Sequence, residues 1–278
     1  MLRGLKRPWG MNVAGSNSPV KDRYALVTGA GSSAGIGFAA ARILAAQGVR
    51  LAITSTTRRI FERLAELPGG ADSHRAFVAD LTETGAAERL VTESRKALGR
   101  IDILVNNAGM TQVGKRDRSS LFHRTSDAEW ADKIEVNLNT AFRVTRAVLP
   151  GMMRRRYGRI VHIASVTGPL VSNPHSAGYS AAKAAMVGMT RALAMEVAGL
   201  GITVNAVAPG WIATASSPKQ EITAGENSPT GRPGTPDEVG HVAAFLASEG
   251  ASYVNGQMIV VDGGNSIQEY KGPAEGYY

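Results

Sequence analysis

From residue 24 onward, short runs of β-branched and other apolar residues alternate with longer stretches whose apolar positions recur at helical spacing. The short runs are 24–28 (YALVT), 50–54 (RLAIT), 74–79 (HRAFVA), 101–105 (IDILV), 159–164 (RIVHIA), 202–207 (ITVNAV) and 257–261 (QMIVV). The helical stretches lie near 36–47, 58–66, 83–98, 127–156, 177–199 and 236–247. Strand and helix taking turns is what a parallel sheet with helical crossovers requires. The pattern therefore predicts an α/β fold: a single doubly wound, Rossmann-type domain over 21–268, with a seven-stranded parallel sheet flanked by helices. Residues 1–20 and 269–278 lack periodicity and read as tails. Two long irregular segments, 108–126 and 210–230, follow the fourth and sixth strands. Loops of that length usually have a task, and in an open α/β sheet both would lie at the carboxyl ends of strands, where ligands bind.

Composition narrows the function classes. No run of about 18 apolar residues occurs in the 278, so no transmembrane helix is predicted. The absence of cysteine excludes disulfides, thiolate metal sites and a thiol nucleophile, and permits a reducing compartment. A cytoplasmic protein without a metal site is expected. The formal charge of 31 − 23 = +8 comes from three clusters, in residues 1–23, 115–124 and 154–159. None interleaves with aromatic residues as a single-strand platform would, and they read as solvated arginines rather than a nucleic-acid interface. The first twenty residues lack the apolar core of a signal peptide, and Met11 is a second candidate start.

The first strand runs into TGAGSSAGIG, with glycines at 29, 31, 35 and 37. Such a turn brings the backbone close to a ligand, and the helix it opens offers free N–H groups to a pyrophosphate. Gly29, Gly31, Ser32, Ser33, Gly35, Ile36 and Gly37 are therefore candidate cofactor contacts. About twenty residues later an acidic side chain would bind an unphosphorylated ribose. The chain instead reads Thr54, Ser55, Thr56, Thr57, Arg58, Arg59. Hydroxyls followed by guanidinium groups suit a 2′-phosphate, so NADP(H) is expected rather than NAD(H), with Ser55, Thr56 and Arg58 as contacts. A plain helix cap at Ser55 or Thr56 is the competing explanation.

Tyr179 and Lys183 stand four apart on a predicted helix and so share a face. That spacing alone fits a surface pair as well as a catalytic device. It occurs, however, in a fixed series: the glycine turn, NNAG at 106–109, Asn137 in EVNL, Ser165 at the end of the fifth strand, Tyr179 with Lys183, and PGWIAT at 209–214. Together these resemble the short-chain dehydrogenase/reductase family over residues 21 to about 265. The resemblance implies an NAD(P) cofactor and a catalytic tetrad of Asn137, Ser165, Tyr179 and Lys183. In such a site Ser165 and Tyr179 would meet the oxygen that gains charge as hydride reaches a carbonyl carbon. Lys183 would draw down the phenol's pKa and hold the nicotinamide ribose, and Asn137 would kink its helix and hold a water. Asp80 and Leu81 are expected at the adenine, Asn107, Ala108 and Gly109 on the adenosine side, and Pro209, Gly210, Ile212 and Thr214 near the nicotinamide.

Three departures bear on the substrate. The glycine turn has five residues between its first and third members where the family mostly has three, a spacing shared with enoyl reductases of fatty-acid synthesis. Those enzymes separate Tyr and Lys by six residues, whereas three separate Tyr179 from Lys183. The Ser165–Tyr179 segment and the loop after Gly109 are also longer than common. Reductases of 3-oxoacyl groups on acyl carrier protein are the nearest branch by resemblance: Arg156 stands where they often carry a docking arginine, but Leu200 replaces the second basic position. A general carbonyl reductase, a 3-oxoacyl thioester reductase and a non-catalytic NADP-binding sensor remain the functional alternatives. In the family, the helices at 127–156 and 177–199 pair between subunits, so a homotetramer or dimer is expected.

Overall fold

The computed structural model describes residues 20, 22–109 and 120–269. Both expected tails, apart from Val20 and Glu269, and the basic residues Lys115, Arg116 and Arg118 lie outside the described residues. Seven strands form one parallel sheet: β1 (Tyr24–Val27), β2 (Arg50–Ser55), β3 (Arg75–Val78), β4 (Ile103–Asn106), β5 (Gly158–Ile163), β6 (Ile202–Pro209) and β7 (Met258–Val261). Their order is β3-β2-β1-β4-β5-β6-β7. Every residue of β4, β5 and β6 is buried, whereas the edge strands β3 and β7 are only partly covered. Such unbroken burial of mainly apolar strands is the signature of a sheet covered by helices on both faces.

The helices are α1 (Ile36–Ala46), α2 (Ile60–Glu66), the single turn α3 (Gly70–Ser73), α4 (Ala86–Leu98), α5 (Asp127–Ile134), α6 (Thr140–Arg155), α7 (Ala177–Val197), α8 (Lys219–Glu226) and α9 (Pro236–Leu246). On one face of the sheet, Leu44 of α1, Ile60 of α2 and Val239 and Leu246 of α9 pack on Val27, Ile53 and Val207. On the other, Leu90 and Val91 of α4, Val148 and Met152 of α6 and Val197 of α7 pack on Leu26, Leu104 and Ile160. Having laid β2 and β3 on one side of β1, the chain returns to lay β4 on the other. That reversal opens a crevice at the carboxyl ends of β1 and β4, paired at Val27↔Val105.

Two elements differ from expectation. The helix predicted over 127–156 is interrupted by a π-helical turn, Glu135–Asn139, between α5 and α6. There the Asn137 amide Nδ2 donates to the Lys133 carbonyl at 3.0 Å, and the widened turn is a local insertion of the kind such bulges make. The segment 210–230, expected to be irregular, contains α8, which starts after Pro218 and carries Glu221 in its first turn. Of the segment 108–126, the described end holds a 3-10 turn at Phe122–Arg124.

Candidate active site

The site is built first from the ends of β1 and β4. The Thr28 hydroxyl accepts hydrogen bonds from the backbone N–H groups of Asn107 and Ala108, both at 3.0 Å, and Asn107 Nδ2 donates to the Gly29 carbonyl at 2.9 Å. These bonds hold the glycine turn against the NNAG segment. Gly29 has φ +69°, and a Cβ there would lie 2.8 Å from Ala108 Cα. A Cβ on Gly37 would lie 2.6 Å from the Gly29 carbonyl and 2.4 Å from Asn107 Nδ2. The turn is therefore a close-packed cradle that side chains would fill. α1 begins immediately beyond it with an extended Gly35 as its N-cap and no side-chain cap, leaving first-turn N–H groups for an anion.

A cleft of about 540 Å³ continues from this cradle over the ends of β2 and β3, lined by Gly31, Ser32, Ser55, Thr56, Arg59, Asp80, Leu81 and Ala108 among others. Here the structure refines the arginine expectation. Arg58 is absent from the lining and lies over the Phe61 ring at 5.5 Å, while Arg59 faces the cleft with Nε 3.4 Å from Thr57 Oγ1. Ser55 Oγ donates to the Thr57 carbonyl at 2.9 Å and so shapes the turn as well as the wall. Asp80 Oδ1 accepts from Thr82 N and Oγ1, fixing its carboxyl at the rim. Ser33 is exposed and lines neither cleft. The glycine cradle and the open helix start fit the pyrophosphate of a dinucleotide, with Arg59 and the hydroxyls of Ser55 and Thr56 on the wall beside it.

The second cleft, about 730 Å³, runs from the same glycine turn past β5 and β6. Ser165, Tyr179, Lys183, Pro209, Gly210, Ile212 and Thr214 all line it, together with Gly29, Ser32, Gly35, Ile36, Asn107 and Gly109. Asn137, fully buried, stands behind Gly109, its Oδ1 3.1 Å from where a Gly109 Cβ would be. Ser165 Oγ accepts from Thr167 N at 3.0 Å, which fixes the hydroxyl at the end of β5. Lys183 is 3% exposed and donates through Nζ to the Ile163 carbonyl at 2.8 Å.

The electrostatics correct one expectation. Burial raises the Tyr179 phenol above its ordinary value; the hydrogen bond with Ser165 draws it part of the way back, and the Glu221 carboxylate raises it further. The Lys183 ammonium lies 5.7 Å from the ring centroid and donates to the Ile163 carbonyl, while burial lowers its own pKa to about 8. Desolvation is the largest influence on both groups.

Sequence reasoning missed Thr28 and the wall contributed by α8, including Glu221; of the two arginines it named Arg58 as the contact, whereas Arg59 lines the cleft. It also missed a buried pair behind the site. His162 of β5 and Asn106 of β4 face each other across strands at 3.1 Å, and Asn106 Nδ2 donates to Thr145 Oγ1 at 2.8 Å. Burial, reinforced by the Lys183 charge, lowers the His162 pKa to about 4 and keeps it neutral. Thr28 and Asn106 carried a readable signal, a polar residue ending an apolar strand. Glu221 carried none beyond its charge.

A family model described as "Enoyl-(Acyl carrier protein) reductase" matches residues 29–266. The chain is 41% identical over 246 residues to the 3-oxoacyl-[acyl-carrier-protein] reductase FabG of Escherichia coli (strain K12), covering 87% of this chain and 96% of that protein. It is 45% identical over 246 residues, with the same coverages, to Nodulation protein G of Rhizobium sp. (strain N33). A crystal structure described as a short-chain dehydrogenase/reductase from Burkholderia xenovorans superposes with a TM-score of 0.83 at 34% identity, covering 91% of this chain and 99% of that one.

Proposed function

This chain belongs to the short-chain dehydrogenase/reductase family, and from that premise we propose that it is an NADP(H)-dependent carbonyl reductase with Asn137, Ser165, Tyr179 and Lys183 as its catalytic residues. It is an oxidoreductase of C=O and CH–OH groups. The cofactor, when bound, supplies or accepts the hydride. Gly29, Gly35 and the start of α1 hold its pyrophosphate, Arg59 with Ser55 and Thr56 its 2′-phosphate, and Asp80 and Leu81 its adenine. Pro209, Gly210, Ile212 and Thr214 border the nicotinamide.

The substrate carbonyl oxygen sits between Ser165 and Tyr179. As hydride reaches the carbonyl carbon the oxygen gains negative charge, which preplaced donors stabilise far better than mobile water does. Ser165 donates one hydrogen bond, and Tyr179 donates the other and transfers its proton, leaving a secondary alcohol and a phenolate. Lys183 turns its ammonium to the ribose, and Asn137 holds the water through which the phenolate regains a proton. A phenol raised by burial remains protonated at neutral pH, so it is a donor at the outset and favours reduction.

The observation that supports this most is the convergence of Ser165, Tyr179 and Lys183 on one cleft that is continuous with the glycine cradle. Tyr179→Phe should lower kcat for ketone reduction by roughly 10²–10⁴-fold with the NADPH Kd changed less than about twofold. A native rate in that variant refutes the proton transfer. Tight NADPH binding without turnover of any ketone or 3-oxoacyl thioester would favour the sensor instead.

A second reading, reduction of 3-oxoacyl groups on acyl carrier protein, is favoured by the FabG relatives. Arg156 is exposed on the surface, although its guanidinium is tied to the Gly199 carbonyl at 2.7 Å. We place the protein in the cytoplasm as a homotetramer or dimer. No helix among the described residues is long and apolar enough to cross a membrane. Phe142 on α6 and Met195 on α7 are 45% and 83% exposed, an apolar surface suited to subunit pairing; light scattering gives the copy number.

A further inference from the structure

The π turn Glu135–Asn139 borders the cofactor site: Val136 lines the smaller cleft, and Asn137 stands behind Gly109, which lines both. In an α-helix the Thr140 N–H would donate to the Val136 carbonyl. Here it donates to the Glu135 carbonyl, five residues back, and the Thr140 hydroxyl takes the Val136 carbonyl at 2.9 Å. The two ends of the turn are braced as well. Asn139 Nδ2 donates to Glu135 Oε2 at 2.8 Å, and Arg143, one turn further along α6, grips the same carboxylate with both guanidinium nitrogens, Nη1 to Oε1 and Nη2 to Oε2 at 3.0 Å. Arg143 Nη1 also reaches the Leu81 carbonyl at 3.4 Å, which ties the brace to the loop after β3. An isolated surface ion pair contributes little. This one is bidentate, and its side chains are only 26% and 27% exposed. Arg143 holds the Glu135 carboxyl below the usual carboxylate range, against burial and the Asp80 carboxylate, which raise it.

We propose that Glu135 and Arg143 are positioning residues: their ion pair keeps the turn π-helical and thereby holds Asn137 where its part in proton return requires it. The inference rests on the catalytic reading of Asn137. A π turn carries one residue more than the α-helical turn it replaces, and one residue is about 100° of helical rotation. Relaxing to α-helical register would therefore swing Asn137 away from Gly109, and a misplacement of about 1 Å can cost about 10²-fold in rate. Glu135 and Arg143 line neither cleft. Loss of the Leu81 contact would act on the cofactor, which saturating NADPH offsets. An effect on kcat at saturation passes through the turn.

The test is a double-mutant cycle in the full chain, reading kcat at saturating NADPH with ethyl 3-oxobutanoate, which is both a ketone and a 3-oxoacyl ester. Arg143→Met should lower kcat by about tenfold or more, with KM for the ester changed less than about twofold. In an Asn137→Ala background, already slow, the same substitution should lower kcat by less than about twofold further, because the group it positions is gone. Arg143→Lys, which keeps the charge but not the two-pronged grip, should fall between wild type and Arg143→Met. Glu135→Gln, which weakens the pair from its other side, carries the same cycle if Arg143→Met does not fold. An arginine with a merely structural role would give equal losses in both backgrounds. Equal losses, or a kcat in Arg143→Met within about twofold of wild type, overturn the inference and leave the catalytic reading of Asn137 standing. A wild-type kcat in Asn137→Ala, or no reduction of the ester by the wild type, removes that reading and the inference together.

Discussion

Tyr179 and Lys183 are each shifted by burial toward their neutral forms, and the two shifts have different consequences for rate. The phenol, raised, keeps its proton across the neutral range, while the ammonium, lowered to about 8, begins to lose its proton there. A lysine is charged below its pKa and neutral above it, so the charge meant for the ribose is complete below about 8 and disappears as pH rises through it. The kcat/KM for NADPH in ketone reduction should therefore be level below that point and decline above it. Lys183→Arg, whose charge persists, should lower the plateau but abolish the decline; a wild-type profile flat to pH 10 contradicts this assignment. The arginines at the β2 end make a second residue-scale case. Arg59 lines the cleft and Arg58 covers Phe61. Arg59→Ala should weaken NADPH by about 10–100-fold, as expected for losing a charge-assisted bond, with NADH little changed; Arg58→Ala should leave both near wild type. The sequence places two guanidinium groups there and points to Arg58 as the contact; both lie in the turn before α2, where the side chains part, Arg58 over Phe61 and Arg59 toward the cleft.

The elements decide whether these side chains stand still. Tyr179 depends on the seating of α7 against the segment after β5, and that contact passes through Gly168. Its φ is +107°, and a Cβ there would lie 2.3 Å from the Ser180 carbonyl, one residue from Tyr179. Gly168→Ala therefore combines a left-handed strain with a collision against helix backbone, which cannot turn away as a side chain can. A loss of about 1–3 kcal/mol in urea unfolding is expected, together with a fall in kcat of at least about tenfold and near-normal NADPH binding, since the glycine cradle lies elsewhere. Unchanged kcat would show that α7 can shift without moving the phenol. At this scale the sequence was most informative where burial is most uniform. β4, β5 and β6 were readable because every position is covered and most are apolar, although Asn106, Arg159, His162 and Asn205 are buried within them. The π turn at Glu135–Asn139 does not show in the apolar periodicity, which resumes on both sides of it, although the kink expected at Asn137 from the family resemblance falls within it. α8 was hidden by its short length and its surroundings, since Ser216, Ser217 and Pro218 before it and Gly225 within it read as loop.

For the whole molecule, the crevice at the β1–β4 reversal joins the two faces of the sheet, so what binds there must couple to unfolding of the entire chain. A ligand that binds only the folded state stabilises it by RT ln(1 + [L]/Kd), about 2.7 kcal/mol at one hundred times Kd. A domain of this size gains about 2–4 °C per kcal/mol, so saturating NADPH should raise the melting temperature by roughly 5–10 °C. NADH at the same concentration should raise it less, because the hydroxyl and guanidinium wall of Ser55, Thr56 and Arg59 finds no 2′-phosphate. The comparison separates binding from chemistry: Tyr179→Phe should keep the full NADPH shift although its turnover is lost, whereas Arg59→Ala should bring the NADPH shift down to the NADH value. Identical shifts for the two nucleotides in the wild type would remove the argument for phosphate selection at the end of β2. They would leave intact the assignment of the glycine cradle, which both nucleotides would share through the pyrophosphate.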